Sequence, residues 1–483
     1  MLRTAPPGLP DQVDNSVSHV VPQCERDQSM PSARPKILFI TSHSPIPPVN
    51  GGFQRSNLLG RALRQIGQLH TLYFRPASRI GLTNEHCQRL TDEFGLVAVI
   101  PARDRNSAMA RLAAGIRPGA ATFDEWPEVS RRVREIAAQG SYDVIVCRYL
   151  ITATQTGVLN QSHIPVIVDI DDLRGLYHRL RFEEPDVPTW RRLYRWYRWQ
   201  RIQHQESRAL SSLSTAWVCC AEDVDVVSRA RVRILPNIPF EPDGPPAAYD
   251  DCTQEPDAGD VLFVGLLRME WNVKAVTWFV REVWPAVRRA APNARFRIVG
   301  PGMTDTQRRE WAAMDGVDPA GFVEDLREEY RRCALSVAPM HGGAGTKIKV
   351  LEAFRYGRTL VATSHALRGF GDLVRHEAAL VGDTTEAFGQ AVVRLLRDPE
   401  RRQAMAQRGQ RLVSRDFTFD RFAAVVSETV ASAVERSEHE TTSTARTRCG
   451  STGVFDTRVR RPVLDRLRRR ADPSASVESG PSR

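Results

Sequence analysis

The sequence predicts an α/β protein made of two successive domains, each a doubly wound parallel sheet with helices on both faces. Short apolar runs alternate with helix-period patterns along most of the chain, which is typical of βαβ units. The length of 483 residues also exceeds what one ordinary hydrophobic core organises. A stretch rich in Pro, Asp and Gly at 239–259 interrupts the alternation, as a linker between domains would.

The first domain is predicted over 35–238. Its opening run, Lys36-Ile-Leu-Phe-Ile-Thr, predicts a buried strand, and a loop rich in Pro and Gly then leads into a helix predicted over 54–66. The other strand candidates are 69–74, 97–101, 143–148, 165–170, 215–220 and 231–235. Helical patterns lie between most of them, so we expect the strands to be parallel.

The second domain is predicted over 260–415, and an amphipathic terminal helix is expected within 416–438. The strand candidates are 260–265, 295–299, 334–338, 359–362 and 378–381. Helices are predicted over 273–289, 304–314, 325–332, 346–356, 385–396 and 398–413. Because open parallel sheets bind ligands beyond the carboxyl ends of their strands, the cleft between the domains is the expected ligand site.

Both ends of the chain are predicted to be disordered, as a lead at 1–34 and a basic tail at 439–483. The net charge is +10, and the segment 441–483 alone holds ten arginines against four acids, which is +6. The remainder is close to balanced, which argues against a nucleic-acid partner. The tail is interpreted as a solvated segment, with a contact to anionic lipid or another acidic partner as the alternative.

Composition also indicates the cellular compartment. No run approaches the roughly 18 apolar residues of a transmembrane helix. Residues 1–32 lack the apolar centre of a signal peptide. None of the eight cysteines forms a CxxC pair, and several lie in apolar runs, where buried free thiols are expected. We therefore predict a cytoplasmic protein.

The most informative segment is a glycine-rich loop that runs into a helix predicted to open at Thr346. The first turn carries Lys347 and Lys349, two of only four lysines in the chain, and Glu352 follows about one turn later. Close backbone approach, helix N–H groups and ammonium groups together predict a phosphate-bearing ligand. The alternative is a solvated helix face, with Glu352 paired to Arg355 at the surface.

These segments resemble the group 1, family 4-like retaining glycosyltransferases of GT-B fold, in which two Rossmann-like domains face a central cleft. The resemblance spans about 36–430 and is dense over 260–425. Its C-terminal motifs are Leu262-Phe-Val-Gly265, Trp278-Phe-Val-Arg-Glu-Val-Trp-Pro285, Pro292-Asn-Ala-Arg-Phe-Arg-Ile-Val-Gly300, Gly321-Phe-Val-Glu-Asp325 and 343–353. The looser N-terminal motifs are 36–55, Tyr142-Asp-Val-Ile-Val146 and Ile234-Leu-Pro-Asn237.

The resemblance implies a nucleotide-sugar donor of UDP or GDP type and a glycan or lipid-linked acceptor, with no cofactor and no metal ion. It implies Lys347 and Glu352 as the catalytic residues. Lys347 would bind the diphosphate, and Glu352, as the second glutamate of an E-x7-E motif, would contact the ribose. The other implied donor-binding residues are Gly51, Gly52, Phe322, Val323, Gly343, Gly345, Thr346 and Lys349.

Two positions depart from the family pattern. The first glutamate of E-x7-E would lie where this chain has Ala344, and a Gly-Arg pair is replaced by Gly265-Leu266. Arg268 or Lys274 is the expected substitute for the missing arginine.

Polar residues that follow two strands of the first domain are predicted to face the acceptor: Arg148, Tyr149, Asp169 and Asp171. The clustered carboxylates at 169–172 have two alternatives, a Mg²⁺ site and a helix cap, and the resemblance favours the acceptor. For Arg148 and Tyr149 the alternative is ordinary strand-end polarity.

A segment at 190–201 mixes aromatic residues with arginines on a predicted helix, with Trp190, Tyr194 and Tyr197 on one face. One interpretation is a peripheral contact at the inner face of the membrane, where a lipid-linked acceptor would be met. The other, slightly favoured, is that one face packs on the domain and the arginines are solvated.

Together these features predict a retaining, hexosyltransferase-type glycosyltransferase (EC 2.4) of polysaccharide or glycoconjugate assembly. Its acceptor would be a glycan, a lipid-linked saccharide or a small molecule. Two alternatives stay open. One is a non-catalytic nucleotide-sugar-binding protein, which the departures at Ala344 and Leu266 motivate. The other is a nucleotide-sugar epimerase of the same fold.

Overall fold

The structure, a computed structural model, describes residues 34–48, 51–76, 82–102, 123–160, 163–184, 187–227, 230–240 and 259–448. Residues 1–33 of the predicted lead, 241–258 of the predicted linker and 449–483 of the predicted tail lie outside this part of the chain.

The first sheet has seven parallel strands in the order β3-β2-β1-β4-β5-β6-β7. They are β1 (Lys36–Thr41), β2 (Gln68–Pro76), β3 (Leu96–Ala102), β4 (Val144–Arg148), β5 (Val166–Ile170), β6 (Thr215–Val218) and β7 (Arg231–Ile234). The helices are α1 (Gly51–Ile66), α2 (Asn84–Phe94), α3 (Pro127–Gly140), α4 (Leu150–Gln155), α5 (Arg174–Phe182) and α6 (Thr189–Ser211). The strand order reverses between β1 and β4, so the carboxyl ends of these strands flank a topological switch point.

The second sheet has six parallel strands in the order β10-β9-β8-β11-β12-β13. They are β8 (Asp260–Val264), β9 (Phe296–Val299), β10 (Val317–Gly321), β11 (Cys333–Ala338), β12 (Leu360–Ala362) and β13 (Ala379–Val381). Here the switch point lies between β8 and β11, which places the loops after these two strands at the ligand-binding edge.

The helices of the second half, apart from the last one, pack around this sheet. They are α7 (Glu270–Trp278), α8 (Trp284–Ala290), α9 (Asp305–Ala312), α10 (Leu326–Arg332), α11 (Ile348–Arg355), α12 (Gly371–Arg375), α13 (Thr385–Arg397), α14 (Pro399–Asp416) and α15 (Phe419–Arg448). A π-helical turn, Phe279–Val283, joins α7 to α8 without a break. No helix in the described part of the chain is long and apolar enough to cross a bilayer.

Every strand predicted from the sequence is present, and their bounds differ from the prediction by a few residues. The sequence did not predict β10, Val-Asp-Pro-Ala-Gly, because Asp, Pro and Gly are uncommon in strands. The structure shows why this composition is tolerated: β10 lies at the edge of its sheet, where a residue without an N–H group costs no ladder hydrogen bond.

The terminal helix α15 packs on the first sheet, although it follows the second sheet in sequence. It begins at Phe419 and extends to Arg448, beyond the predicted end at 438. Phe422 and Val426 are buried in the same apolar cluster as Phe39 of β1. The indole N–H of Trp217 in β6 donates to the hydroxyl of Thr429 at 3.0 Å. The last described helix therefore packs against the first half of the chain.

Truncation of Phe422 tests this packing. The ring is 1% exposed and lies beneath the guanidinium of Arg55, 5.7 Å from its carbon. We expect Phe422→Ala to destabilise the protein by about 3–5 kcal/mol, because it leaves a cavity in a closed core. The measurement is urea denaturation followed by tryptophan fluorescence. Arg421→Ala, an exposed neighbour on the same helix, is the control and should shift stability by less than about 1 kcal/mol. Equal effects of the two substitutions would contradict the packing.

Candidate active site between the two sheets

The glycine loop lies at the carboxyl end of β11 and leads into α11. This helix begins at Ile348, not at the predicted Thr346, so Lys347 is the N-cap residue rather than part of the first turn. Gly343 and Gly345 have φ values of +101° and +67°, which only glycine adopts at little cost. The loop conformation therefore depends on these two positions.

The ammonium of Lys347 is folded back under the loop. It donates to the carbonyl oxygens of Gly343, Ala344 and Gly345 at 3.2, 3.0 and 2.9 Å. Burial lowers the pKa of Lys347 to about 8, although the negative charge of Asp172 opposes that change. A buried ammonium held by three carbonyl groups stabilises the loop and adds a positive charge beneath its rim.

Lys349 and Glu352 lie further along α11, on its inner side. The Lys349 ammonium donates to the side-chain oxygen of Asn272 at 3.0 Å and sits 4.0 Å from the ring centre of Phe263. Burial lowers the pKa of Lys349 to about 7 and raises the pKa of Glu352. The two side chains lie one turn apart, and Lys349 points to Gly265 at the end of β8 rather than to the glycine loop.

Asp169 at the end of β5 lies between two arginines of the first half. Arg55 of α1 donates to both carboxylate oxygens, at 3.0 and 2.7 Å, and Arg148 of β4 lies 3.0 Å away. Arg55 is 1% exposed, and the other two side chains are fully buried. Arg148 and Asp169 were both predicted to contact the acceptor, but they have no exposed surface in the cleft.

Tyr149 and Asp171 form the layer above this buried group. The second terminal nitrogen of Arg148 donates to Asp171 at 2.7 Å and to the Tyr149 hydroxyl at 3.1 Å. Burial disfavours the charge of Asp171, but Arg148 and Arg55 outweigh it and hold the pKa of Asp171 below its usual range. Tyr149 has a φ of +73° and a ψ of +137°, a sparsely populated conformation for a residue with a side chain.

Asp172 behaves differently from Asp171. Its side chain reaches solvent at the cleft, yet the surrounding protein and the charge of Asp171 raise the pKa of Asp172 to about 6. No group of three or more His, Cys, Asp or Glu side chains is placed to hold a metal ion in the described ranges. The carboxylates at 169–171 instead face arginines.

The two halves meet at the glycine loop. The side-chain amide of Asn237 donates to the Thr346 hydroxyl at 2.9 Å, while Arg55 donates to the oxygen of the same amide at 2.9 Å. A Cβ atom on Gly345 would lie 2.5 Å from a carboxylate oxygen of Asp172, so only glycine fits there. The carboxyl ends of β5 and β11 therefore face each other across a narrow gap.

The amino end of α1 completes this side of the cleft. A Cβ atom on Gly51 would lie 3.0 Å from the Ile348 side chain, and one on Gly52 would lie 2.9 Å from the Tyr149 hydroxyl. The ring of His43 packs against Tyr149 at 4.9 Å between centroids. Gly51 and Gly52, predicted as donor-binding residues, are thus brought next to the start of α11.

A second bridge joins the halves further out. Lys274 of α7 forms an ion pair with Glu184 and lies 2.9 Å from Glu270. Its ammonium is 4.8 Å from the ring centre of Trp271, which packs against the backbone of Gly342. Lys274, predicted as a substitute for the missing arginine, is therefore engaged with two carboxylates at the cleft edge.

The remaining predicted donor residues lie at the ends of β8 and β10. Arg268 is exposed, with its side chain packed beside Gly302. Phe322 is 69% exposed directly after β10, and Val323 packs partly against the core of the second sheet. Their proximity to a nucleotide base stays a prediction.

Sequence reasoning missed four residues that build this site: Arg55, Asn237, Trp271 and His365. The ring nitrogen Nε2 of His365 donates to the Gly343 carbonyl at 2.9 Å, and burial lowers the pKa of His365 to about 4. Neutral His365 and charged Lys347 therefore hold the same carbonyl. Asn237 and Arg55 lie in segments that carry the resemblance, the Ile-Leu-Pro-Asn motif and the segment 36–55, but neither motif indicated their roles.

Comparison with known proteins identifies the class. Residues 258–398 match the family model described as "Glycosyl transferases group 1". The chain therefore carries a group 1 glycosyltransferase domain, and this domain contains the glycine loop, α11 and β8.

Solved structures confirm the predicted GT-B fold. The sucrose-phosphate synthase of Thermosynechococcus elongatus superposes with a TM-score of 0.58 at 16% identity, covering 82% of this chain and 98% of that chain. Anabaena HepE, solved in complex with UDP and glucose, gives a TM-score of 0.55 at 14% identity, covering 82% and 100%. WaaG, a glycosyltransferase involved in lipopolysaccharide biosynthesis, gives 0.52 at 13% identity, covering 81% and 99%.

A relative among curated proteins is similar over part of its length. The "Uncharacterized 44.6 kDa protein in cps region" of Klebsiella pneumoniae is 24% identical over 254 residues. The match covers 50% of this chain and spans 62% of the relative.

The pKa of Lys347 yields a test of its charge at the loop. Because burial lowers this pKa to about 8, raising the pH from 7 to 9 removes the proton from the ammonium in the free protein. A bound diphosphate would favour the charged form, so nucleotide affinity should fall by up to about tenfold per pH unit above the free pKa.

The measurement is the dissociation constant of UDP or GDP, whichever binds, between pH 6 and 9 by calorimetry. Lys347→Met should bind more weakly and lose the decline near pH 8. Lys349→Met, which removes the other buried lysine, should keep that decline. A wild-type affinity that stays constant across pH 8 would show that this ammonium does not meet the ligand.

Proposed function

We propose that the protein is a retaining glycosyltransferase that moves a sugar from a nucleoside-diphosphate donor to a glycan, lipid-linked or small-molecule acceptor. The observation that carries the proposal is the glycine loop with Lys347 at the amino end of α11, opposite the carboxyl end of β5. A helix start, close backbone approach and a buried cation are the features that a diphosphate requires. UDP bound in Anabaena HepE is consistent with this class of donor.

The chemistry follows from where charge develops. Cleavage of the bond between the anomeric carbon and the diphosphate oxygen leaves negative charge on the diphosphate. The ammonium of Lys347 and the N–H groups at the start of α11 are fixed before the reaction, so they stabilise that charge without reorganising. The acceptor oxygen bonds to the anomeric carbon, and its proton passes to the leaving diphosphate oxygen, so no protein base is required.

Glu352 and the layer formed by Tyr149 and Asp171 have separate roles in this proposal. Glu352, whose pKa is raised by burial, lies on α11 where the family resemblance implies a ribose contact. Asp171 stays ionised beside Arg148, and its carboxylate also accepts from Asn237, the residue that donates to Thr346 of the glycine loop. It is therefore suited to accept a hydrogen bond from a sugar hydroxyl. Asp169 and Arg148 are positioning residues beneath it.

A second candidate function is favoured by Ala344 and Leu266. These residues remove a carboxylate and a guanidinium from the donor side, and a non-catalytic nucleotide-sugar-binding protein would tolerate both losses. It predicts donor binding without turnover.

The test combines binding with product analysis. Thermal shifts are measured against UDP, GDP, ADP and TDP and their sugars; one nucleotide should stabilise the protein, because a ligand that binds only the folded state raises its midpoint. Lys347→Ala and Glu352→Ala should abolish that shift, whereas the exposed Arg421→Ala should retain it.

With the donor known, supplied acceptors should yield product with the donor's anomeric configuration by NMR. Binding without any product would support the non-catalytic alternative, and conversion of the donor alone would support an epimerase. If no nucleotide shifts the unfolding midpoint, the proposed donor site itself is contradicted.

We further propose that α6 contacts the inner face of a membrane. Its amino-terminal half carries exposed apolar side chains interspersed with arginines: Trp190, Leu193, Tyr194, Trp196 and Tyr197. Further along, the helix is anchored: Ile202 and Leu210 are buried, and Trp199 stacks on Phe182 at 5.5 Å. Tryptophan and tyrosine beside arginine are suited to the interface of an anionic bilayer.

Vesicle sedimentation tests this contact. Wild-type protein should sediment with vesicles of phosphatidylglycerol and phosphatidylcholine and not with phosphatidylcholine alone. Replacing Trp190, Leu193 and Trp196 together by Ser should weaken partitioning by roughly tenfold or more, because each buried aromatic or leucine contributes more than about 1 kcal/mol. The matched control replaces exposed Met269 and Phe322 by Ser. An unchanged partition coefficient in the α6 variant would overturn the contact.

A further inference from the structure

One feature outside the cleft that has no assigned role is a cavity between α5 and α6. It has a volume of about 310 Å³ and is lined by His178, Arg181, Trp190, Arg191, Tyr194, Arg195 and Arg198. Four of these seven residues are arginines, and two are aromatic. This volume lies at the lower end of the range for small-molecule sites in proteins.

The arginines are incompletely neutralised. Arg181 lies 3.5 Å from Glu270, and Arg195 lies 2.8 Å from Glu184, a carboxylate that also pairs with Lys274. No ion pair among the described residues involves Arg191 or Arg198. The Nε atom of Arg198 is buried and has no hydrogen-bond partner. The four arginines that line the cavity outnumber the two carboxylates that pair with them, so the cavity carries a surplus of positive charge that suits an oxyanion.

The positive potential of the cavity contributes to the lowered pKa of His178 at its base. Burial, together with the charges of Arg198, Arg174 and Arg181, lowers the pKa of His178 to about 3. The imidazole is therefore neutral at physiological pH and can donate one hydrogen bond into the cavity.

Fixed secondary structure holds this arrangement. The carboxylate of Glu206 on α6 accepts hydrogen bonds from the backbone N–H groups of Arg174 and Gly175, at 2.6 and 2.8 Å. It thereby caps the amino end of α5 and ties the two helices together. The arginines on α6 and His178 on α5 keep their spacing because both helices are anchored.

We propose that this cavity binds the phosphate or diphosphate group of the acceptor. The cavity has more guanidinium groups than carboxylates to pair with them. This excess of positive charge suits a ligand with two or more negative charges better than one with a single carboxylate. Trp190 and Tyr194 line the outer wall, where a sugar or an alkyl chain attached to the phosphate would pack. The cavity lies beside the cleft, because α5 begins two residues after Asp172 and His178 is roughly 6 Å along the helix from Arg174, its first residue.

That the ligand is an acceptor rests on the proposed transferase function, but phosphate binding in the cavity can be measured independently of that function. Inorganic pyrophosphate is titrated by calorimetry into Lys347→Ala protein, so that the proposed donor site does not contribute. Arg191→Gln with Arg198→Gln in that background should weaken binding by at least tenfold, because two charge-assisted contacts are lost. Arg208→Gln, an exposed arginine near the end of α6, makes the same charge change and should leave the affinity unaltered.

Two further ligands distinguish the source of the phosphate. Farnesyl diphosphate binding at least tenfold more tightly than pyrophosphate indicates a lipid-linked acceptor, whereas equal binding of pyrophosphate and a soluble sugar phosphate indicates a water-soluble one. Equal affinities in the double variant and the Arg208→Gln control, or tighter binding of a uronic acid than of pyrophosphate, would overturn the proposal. The UDP and GDP thermal shifts of the Arg191, Arg198 variant with Lys347 intact should match wild type. A loss of nucleotide binding at the donor site would therefore be distinguished from a loss of phosphate binding in the cavity.

Discussion

The carboxylate of Asp169 lies between the guanidinium groups of Arg55 and Arg148, and all three side chains are buried where β4, β5 and α1 meet. Burying three charges is favourable only if each satisfies the others, and removing one partner typically costs about 3–5 kcal/mol. Because the three residues belong to three elements, their mutual dependence fixes how these elements are arranged at the carboxyl edge of the first sheet.

Hydrogen bonds connect this buried group to the second half of the chain. Arg55 also donates to the carbonyl of Leu235 and to the side chain of Asn237, which in turn donates to Thr346 in the glycine loop. Arg148 holds Asp171 ionised on the other side. Hydrogen bonds thus connect the glycine loop, which we propose binds the diphosphate, to the ion pair of Arg55 and Asp169 in the first half. Lys347 holds the same loop from beneath.

The sequence predicted the sheets well and the site only in part, for physical reasons. Buried parallel strands such as β4 and β8 are continuous apolar runs, so their periodicity is evident; β10 carries Asp, Pro and Gly because an edge strand tolerates them. The glycine loop was predicted because its functional groups are adjacent in sequence. Arg55 and Asp169 are 114 residues apart, and one buried arginine carries no signal in an arginine-rich chain.

The local geometry of the loop also escaped prediction. A lysine at a helix start suggests an exposed cation, whereas the structure turns the Lys347 side chain back onto three carbonyl oxygens. That outcome depends on the positive φ values of Gly343 and Gly345, which composition alone does not specify. These glycine conformations direct the three carbonyl oxygens of the loop towards the Lys347 ammonium.

The most direct test of the central claim is a crystal structure of the protein with the nucleoside diphosphate that stabilises it. The account predicts diphosphate density at the glycine loop, with phosphate oxygens about 3 Å from the backbone N–H groups at the start of α11 and on the side facing Asp171. Density located elsewhere, for instance only in the arginine-lined cavity between α5 and α6, with the glycine loop unoccupied, would contradict it.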